Sequence, residues 1–303
     1  MMVRSAKFFL FQRKAAPYIF ISPFIILFLV FGLYPLAKSL VLSFYITSGP
    51  KARIFVGLEN FRFLVGDSDF HTAVKNTTVF TFFSVFLQLP LSLGLAVLLN
   101  HSMVKGRNFF RFSFFSPHLF GQVFVAVLFG IIFAPQFGLL NRILHFLVPQ
   151  IPSDTKWLAN PRLIMPSIVL TSLWMYVGFN MIYFLAALQA VDRDLYDAAH
   201  VDGANAFQRF LHVTLPGIKP VAVYVMILST IGSFQLFELP YVLLGQSPGP
   251  DNAGLTIVMY LYLKGFEAGD LGYASTIGWT LALGVLVISL LQVKVFGMWK
   301  REA

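Results

Sequence analysis

Six long stretches without a charged side chain constrain this sequence more than any other feature. They cover residues 15–37, 76–104, 112–141, 163–191, 220–237 and 271–293. All but 220–237 exceed the ~20 residues that a helix needs to cross a bilayer, and that segment continues uncharged from Glu238 to Pro250. The runs are continuously apolar, whereas barrel strands alternate apolar and polar residues. The sequence therefore predicts an all-α, polytopic membrane protein with six transmembrane helices.

Composition supports this class. Hydrophobic residues make up 57% of the chain and charged residues 12%, compared with about 25% charged residues in soluble domains. The net charge of +9 is better explained by basic membrane loops than by nucleic-acid binding. Cysteine is absent, which excludes a disulfide framework, a thiol nucleophile and a Cys-ligated metal site.

The distribution of Lys and Arg predicts the orientation in the membrane. The first apolar run is too long for a signal-peptide core and lacks a convincing cleavage site, so we expect a cytoplasmic N-terminal tail of residues 1–14 and a retained first helix. With both termini inside, the cytoplasmic face collects thirteen of the 22 basic residues, as the positive-inside rule expects. These are Arg4, Lys7, Arg13, Lys14, Lys105, Arg107, Arg111, Arg193, Arg209, Lys219, Lys294, Lys300 and Arg301.

A polar segment, DRDLYDAAHVDGANAFQRFLHVTLPGIKP (192–220), interrupts the apolar sequence between the fourth and fifth spans. We expect Asp194 to cap a helix that ends at Val201, Asp202-Gly203 to form a turn, and a second short helix to run from Ala204 to Thr214 before two prolines break the chain. The second helix is amphipathic and could lie on the membrane surface. The four aspartates that precede it favour a protein partner, because the inner leaflet is anionic.

The same segment resembles the EAA motif of ABC importer permeases. The matching residues are Asp197-Ala198-Ala199, Gly203 and Val213-Thr214-Leu215-Pro216, with Asp197 where the family usually has Glu. Further matches to the sugar-permease branch extend over nearly the whole chain: Ser22-Pro23, Tyr34-Pro35, residues 55–61, Gly106-Arg107, Gly138-Leu139-Leu140-Asn141 and Gly272-Tyr273-Ala274-Ser275. In the loop after the fifth span, Ser247-Pro248-Gly249-Pro250 departs from the Gly-Gly-Pro of the family.

The resemblance implies a permease domain over residues 15–303 in a bacterial or archaeal cytoplasmic membrane. It implies a second permease subunit, two ATPase subunits, and an extracytoplasmic binding protein that delivers a sugar. The chain has no Gly-x-x-x-x-Gly-Lys-Ser/Thr loop for nucleotide phosphates, so ATP and Mg²⁺ are expected on the ATPase and no cofactor on this chain. The residues expected to contact the ATPase are Asp197, Ala198, Ala199, Asp202, Gly203, Phe207, Phe210, Leu215 and Pro216.

Polar and aromatic residues within the fourth and fifth spans mark the expected substrate path. An amide or carboxylate that faces lipid loses its hydrogen-bond partners, so such groups should face the interior of the bundle. Rings beside amides suit a sugar, which packs its C–H face on a ring and hydrogen-bonds through its hydroxyls. The candidates are Trp174, Tyr176, Gly178, Asn180, Tyr183, Ser233, Phe234, Gln235 and Glu238.

Other functions fit less well. A polyol or a glycerol-phosphate-like solute is an alternative cargo, although no Lys or Arg lies in the middle of a span to bind phosphate. A membrane enzyme that acts on lipid-linked sugars would need acidic or His residues that converge at a membrane face, whereas here they lie in the polar segment. An ion channel would need a symmetric pore motif, which the sequence does not contain.

Overall fold

The computed structural model describes residues 2–49, 52–101 and 103–297. The predicted inner-face residues Lys300 and Arg301 lie outside the described residues. The described chain is almost entirely helical, and it divides into two units, residues 2–66 with 263–279 and residues 67–262 with 280–297. The expected all-α fold class is confirmed.

The first unit begins with α1 (Met2–Phe28), which is helical through most of the predicted N-terminal tail and continues through a π-helical turn (Leu29–Leu33) into α2 (Tyr34–Leu42). A short antiparallel hairpin of β1 (Tyr45–Ser48) and β2 (Ala52–Phe55) pairs Tyr45 with Phe55. Helix α3 (Glu59–Gly66), a π-helical turn (Leu263–Glu267) and the start of α14 (Leu271–Val295) complete this unit.

Two of the sequence motifs hold the first unit together. Asn60 is buried, and its amide nitrogen donates 2.9 Å hydrogen bonds to the carbonyl oxygens of Ser43 and Tyr45. Gly272 lies directly against the same strand, since a Cβ atom added to it would be 1.8 Å from the Tyr45 carbonyl oxygen. Its backbone N–H donates to the Thr47 hydroxyl at 3.1 Å. These motif residues therefore have a structural role.

The second unit contains the helices α4 (Ser68–Asn100), α5 (Arg107–Phe115), α6 (Gln122–Ile132), α7 (Leu139–Leu147) and α8 (Pro161–Ala190). They are followed by α9 (Arg193–Val201), α10 (Ala206–Arg209), α11 (Leu215–Phe234), α12 (Glu238–Leu243) and α13 (Ile257–Tyr262), and the end of α14 also belongs here. Short 3-10 turns lie at Ser116–Leu119 and Pro250–Asn252, and a π-helical turn lies at Phe210–Thr214. Helices α4 and α8 pack along each other and form the centre of the unit.

Five helical stretches of the described chain are long and apolar enough to cross a membrane: Ala15–Leu42, Ser68–Asn100, Pro161–Ala190, Ala206–Phe234 and Leu271–Val295. The predicted third span differs, because Arg107–Leu119 and Gln122–Ile132 meet at 100°. Pro117 lacks an N–H for the helical ladder, and Phe120 and Gly121 are extended. The third predicted helix is thus a bent pair, and the number of spans is six only when this pair counts as one.

The close approach of Gly272 gives the first testable prediction. Gly272→Ala forces the Tyr45 carbonyl to move, and overpacking of this kind costs about 1–3 kcal/mol, or roughly 2–10 °C in melting temperature for a chain of this size. The matched control is Gly284→Ala on the same helix, where an added Cβ meets nothing within 4 Å. Thermal unfolding of the purified chain in detergent measures both changes. Equal melting temperatures for the two variants would contradict the prediction.

Candidate functional site: a polar cavity and a polar hairpin

A cavity of about 270 Å³ opens between α4, α6, α8 and α11. Helices α8 and α11 provide most of its wall. The lining residues are Phe80, Gln88, Gln122, Ser172, Tyr176, Phe179, Asn180, Tyr183, Val225, Leu228, Ser229, Gly232, Ser233, Gln235 and Leu236. The wall therefore combines amides, hydroxyls and aromatic rings, and none of these lining residues carries a charge.

Hydrogen bonds between side chains hold the cavity wall in place. The Gln122 amide nitrogen on α6 donates to the Tyr176 hydroxyl on α8 at 2.9 Å. One turn further along α8, the Asn180 amide nitrogen donates to the Ser229 hydroxyl on α11 at 3.5 Å. Asn180 is only 4% exposed, so this amide both lines the cavity and connects two spans. Such interhelical bonds in membranes are worth about 0.6 kcal/mol each.

The aromatic rings of the cavity wall also pack against one another and against neighbouring rings. The rings of Phe179 and Tyr183 meet edge to face at 5.3 Å, and His118 stacks on Phe179 at 3.9 Å between ring centroids. Tyr183 also contacts Tyr224 on α11, at 6.3 Å. The rings therefore present a fixed surface to the cavity.

Five of the nine residues predicted for the substrate path line this cavity: Tyr176, Asn180, Tyr183, Ser233 and Gln235. The structure places the other four elsewhere. Trp174 packs on Phe129 at 5.4 Å, and Phe234 is buried at the end of α11. Gly178 allows α5 to approach α8, because an added Cβ would lie 1.7 Å from the Phe114 carbonyl oxygen.

The fourth, Glu238, is exposed and begins α12, since α11 ends at Phe234 and Gln235 occupies its C-cap with φ −93° and ψ 11°. The predicted fifth span of 220–237 therefore ends three residues early. Gln235 lies at the point where the helix ends, where its side chain is exposed to the cavity.

Sequence reasoning missed the contributions of α4 and α6. Gln88 and Gln122 are amides within uncharged apolar runs, which is the same signal that identified Asn180 and Gln235. Applying that criterion to every span would have found both. Ser172 and Ser229 carry no comparable signal, because serine is common wherever membrane helices pack closely.

The second feature is the polar hairpin, residues 192–214, which joins α8 to α11. The side chain of Asp192, and not that of Asp194 as predicted, caps α9 by accepting a 3.0 Å hydrogen bond from the Asp194 N–H. Gly203 makes the turn with φ +77°, a conformation that glycine adopts without steric cost. At the start of α10 the Asn205 side chain accepts a hydrogen bond from the Gln208 N–H, and the Gln208 side chain accepts one from the Asn205 N–H. Both bonds are 2.9 Å long and together form a capping box.

The predicted break at Pro216 and Pro220 is wrong, because a continuous helical stretch runs from Ala206 to Phe234. A π-helical turn at Phe210–Thr214 precedes Pro216, and in it the Leu215 N–H donates to the Phe210 carbonyl. This wider turn accommodates the proline at the first turn of α11, where its missing N–H costs little. The hairpin is therefore joined to the fifth span without an intervening loop.

Much of the hairpin surface is exposed and apolar. Val201 and Phe207 are 87% and 68% exposed, and Leu195 and Leu211 are also exposed. Of the predicted contact residues, Asp197, Ala198, Asp202, Gly203, Phe207 and Pro216 are exposed, and Ala199, Phe210 and Leu215 are half-buried. On the inner side, the Tyr196 hydroxyl lies 3.0 Å from that of Thr214 and ties the two arms together.

The cavity and the hairpin lie toward opposite ends of α11. The helix has 20 residues and is about 30 Å long at 1.5 Å per residue. The hairpin joins its first turn, and the cavity-lining residues of α11 begin at Val225. A membrane bundle with an uncharged polar cavity and an exposed hairpin beyond it has the organisation of a transport permease.

Comparisons with known proteins agree. The chain belongs to the family of binding-protein-dependent transport system inner membrane components, whose model matches residues 72–295. This confirms the resemblance to importer permeases and places the chain in the inner membrane.

Individual relatives cover nearly all of the chain. It is 42% identical to the arabinooligosaccharides transport system permease protein AraP of Bacillus subtilis, over 96% of this chain and 92% of that protein. It is 36% identical to the lactose transport system permease protein LacF of Rhizobium radiobacter, over 91% and 92%. A chain in the crystal structure of a bacterial ABC transporter involved in the import of the acidic polysaccharide alginate superposes with a TM-score of 0.84. That chain is 25% identical, and the match covers 97% of this chain and 100% of that one.

The exposure of Gln235 to the cavity gives a prediction that is independent of transport. Because the chain has no cysteine, Gln235→Cys introduces its only thiol, and we expect a water-soluble thiosulfonate to modify it rapidly. The matched control is Val223→Cys, a buried position of α11 outside the cavity lining, which should react at least about tenfold more slowly. Mass spectrometry of the labelled chain measures both rates, and a rate for Gln235→Cys as slow as that expected for the buried control would show that Gln235 is not exposed to water.

Proposed function

We propose that this chain is a sugar permease of an ATP-driven ABC importer and that a neutral oligosaccharide passes through its cavity. The observation that carries the proposal is the cavity wall, in which amides and hydroxyls alternate with rings and no lining residue is charged. A sugar offers C–H faces to the rings and hydroxyls to the amides. The names of the related permeases, which refer to arabinooligosaccharides and lactose, support the same class of solute.

A phosphate-bearing solute fits this cavity less well. Phosphate groups in proteins are usually held by Arg or Lys, and the residues that line the cavity include neither. A polyol remains compatible with the wall because it offers the same hydroxyl groups. Competition of polyols and sugar phosphates against labelled oligosaccharide uptake would separate these solutes.

The polar hairpin supports coupling to a separate ATPase. The hairpin exposes apolar side chains, Val201 and Phe207 among them, together with the aspartates Asp197 and Asp202, a mixture suited to a protein cleft with basic groups at its rim. The chain contains no P-loop sequence. In this proposal two ATPase subunits carry ATP and Mg²⁺, and a second permease completes the translocation path.

The proposed topology follows from the position of the hairpin. An ATPase in the cytoplasm requires the hairpin on the inner face, so the Gln235 end of α11 faces outward, toward the binding protein on which this family depends. In this proposal both termini lie inside, which agrees with the basic residues of the N-terminal segment. The permease domain extends over residues 15–303.

The conformation of Gly203 provides a test of coupling. Gly203→Val places a β-branched side chain at φ +77°, which is strongly disfavoured for such residues. We expect transport by the assembled complex to fall at least about tenfold, with normal insertion and a normal amount of the chain in the membrane. An added Cβ meets nothing within 4 Å, so the effect comes from the backbone and not from a clash.

The matched control for this test is Gly203→Asn, because Asn tolerates the left-handed conformation. It should keep most of the transport activity. Normal transport by the Val variant would contradict the coupling role, and equal loss in both variants would mean that the requirement at position 203 is not conformational.

Two cavity amides provide the test of the substrate path. Gln235→Leu and Asn180→Leu remove a donor and an acceptor, and a buried sugar hydroxyl left without its partner costs about 1–3 kcal/mol. Uptake should fall about tenfold, since ~1.4 kcal/mol corresponds to one decade. Gln189→Leu, an exposed amide of α8 outside the cavity lining, is the matched control.

Basal ATPase activity of the complex and the amount of each variant in the membrane control for misfolding. Normal uptake by both Gln235→Leu and Asn180→Leu would assign sugar recognition to the partner permease.

A further inference from the structure

Three aromatic rings form a cluster just beyond the end of the cavity. Gln235 and Leu236 are the last residues of this segment that line the cavity, and Phe237 follows them at the start of α12. The Phe237 ring stacks on Tyr241 with centroids 5.1 Å apart and 27° between planes. Tyr262, at the end of α13, contacts Phe237 at 5.1 Å and Tyr241 at 5.3 Å. We call Phe237, Tyr241 and Tyr262 the aromatic triad.

The backbone holds the triad in place. The Thr256 hydroxyl donates to the Leu236 carbonyl oxygen at 2.7 Å, which ties the start of α13 to the turn that carries Phe237. Thr256 also accepts from the Met259 N–H at 3.3 Å. Leu236 and Leu239, which flank Phe237 and Glu238, are buried, whereas all three rings of the triad are half-buried. The three rings are therefore attached to a buried stretch of backbone and are themselves partly exposed.

The carboxylate of Glu238 lies close to the triad along the chain. Glu238 follows Phe237 directly and lies three residues before Tyr241, a spacing that makes side chains neighbours on a helix. Glu238 is exposed. This carboxylate can accept hydrogen bonds from sugar hydroxyls, and it repels a sugar that carries a carboxylate of its own.

We propose that the aromatic triad and Glu238 form a second carbohydrate subsite, which stacks one neutral sugar ring of an oligosaccharide whose two leading rings occupy the cavity. The proposal rests on the proposed function, because it deepens the same translocation path. A cavity of about 270 Å³ lies below the roughly 300–1,000 Å³ of sites that enclose drug-sized ligands. The remaining rings of a longer oligosaccharide must therefore lie outside the cavity, and the triad is adjacent to its outward end.

Dependence on chain length is the property that tests this subsite. A disaccharide can be held by the cavity alone, whereas a pentasaccharide extends over the triad. In the double variant Tyr241→Leu/Tyr262→Leu we expect pentasaccharide uptake to fall about tenfold and disaccharide uptake to stay within about twofold. The double variant Tyr241→Phe/Tyr262→Phe keeps the rings and should stay within about twofold for both probes.

The experiment uses the complete transporter with its binding protein at saturation. The probes are labelled disaccharides and pentasaccharides of the arabino-, malto- and xylo- series, and the series that the unmodified transporter carries best is used. Phe146→Leu, an exposed ring of α7 outside the triad, is the control for general loss of aromatic surface. Membrane level and basal ATPase activity are measured in parallel, and Phe237→Leu replaces the Leu double variant if the latter does not assemble.

Several results would overturn the proposal. A loss that is equal for both probe lengths would indicate a structural role, such as anchoring at the membrane interface, and no loss for either probe would remove the triad from the path. Equal loss in the Phe and Leu double variants would show that the rings are not the binding element. If pentasaccharide uptake is normal in the Leu double variant but falls tenfold in Gln235→Leu, the subsite is refuted and the cavity assignment is kept. The reverse pattern, with normal uptake by Asn180→Leu as well, refutes the cavity assignment and keeps the triad only as a sugar contact. If the unmodified transporter takes up none of the three series, both the subsite and the cavity assignment are overturned.

Discussion

A polar group inside a lipid bilayer must find its hydrogen-bond partner within the protein, and the arrangement of the spans in the second unit follows from that requirement. Helix α4 buries one face that carries Thr77, Gln88 and Ser92, and it places this face along α8. The Ser92 hydroxyl donates to the Val177 carbonyl oxygen of α8 at 2.8 Å. The cavity opens along this polar seam, where α6 and α11 join it. The same buried polar side chains therefore fix how the helices pack and provide hydrogen-bonding groups for a polar solute.

Helix α11 connects the two functional features of the chain. The π-helical turn before Pro216 allows it to start inside the polar hairpin, and its far end provides Ser233 to the cavity, with Gln235 as its C-cap. A continuous helix is stiff over about 30 Å, so displacement of the hairpin can be carried toward the cavity without a flexible joint. This gives the proposed coupling between an ATPase and the solute path a physical route along one element.

Most of the architecture was predictable, and the exceptions have specific causes. Four of the six uncharged runs start or end within a few residues of a helix long and apolar enough to cross a membrane, because lipid imposes length and apolarity on a span. The third failed because hydropathy does not report a bend, although Pro117 was visible in the sequence. The fifth failed at both ends, because a π-helical turn tolerates Pro216 and because Glu238 belongs to α12. Gly203 was assigned correctly, since few residues other than glycine fit a φ of +77°.

The sequence by itself determined the membrane class, the helical fold and the existence of a polar hairpin, because each depends on the composition and order of neighbouring residues. Only the tertiary structure decided which polar residues meet. Gln122 and Tyr176 are 54 positions apart and hydrogen-bonded, whereas Trp174, two residues from Tyr176, packs on Phe129 outside the cavity. The rotation of each helix about its axis selects the side chains that face the cavity. That rotation is set by close packing against other helices, such as the contact of Gly178 with the backbone at Phe114, which no local pattern of residues contains.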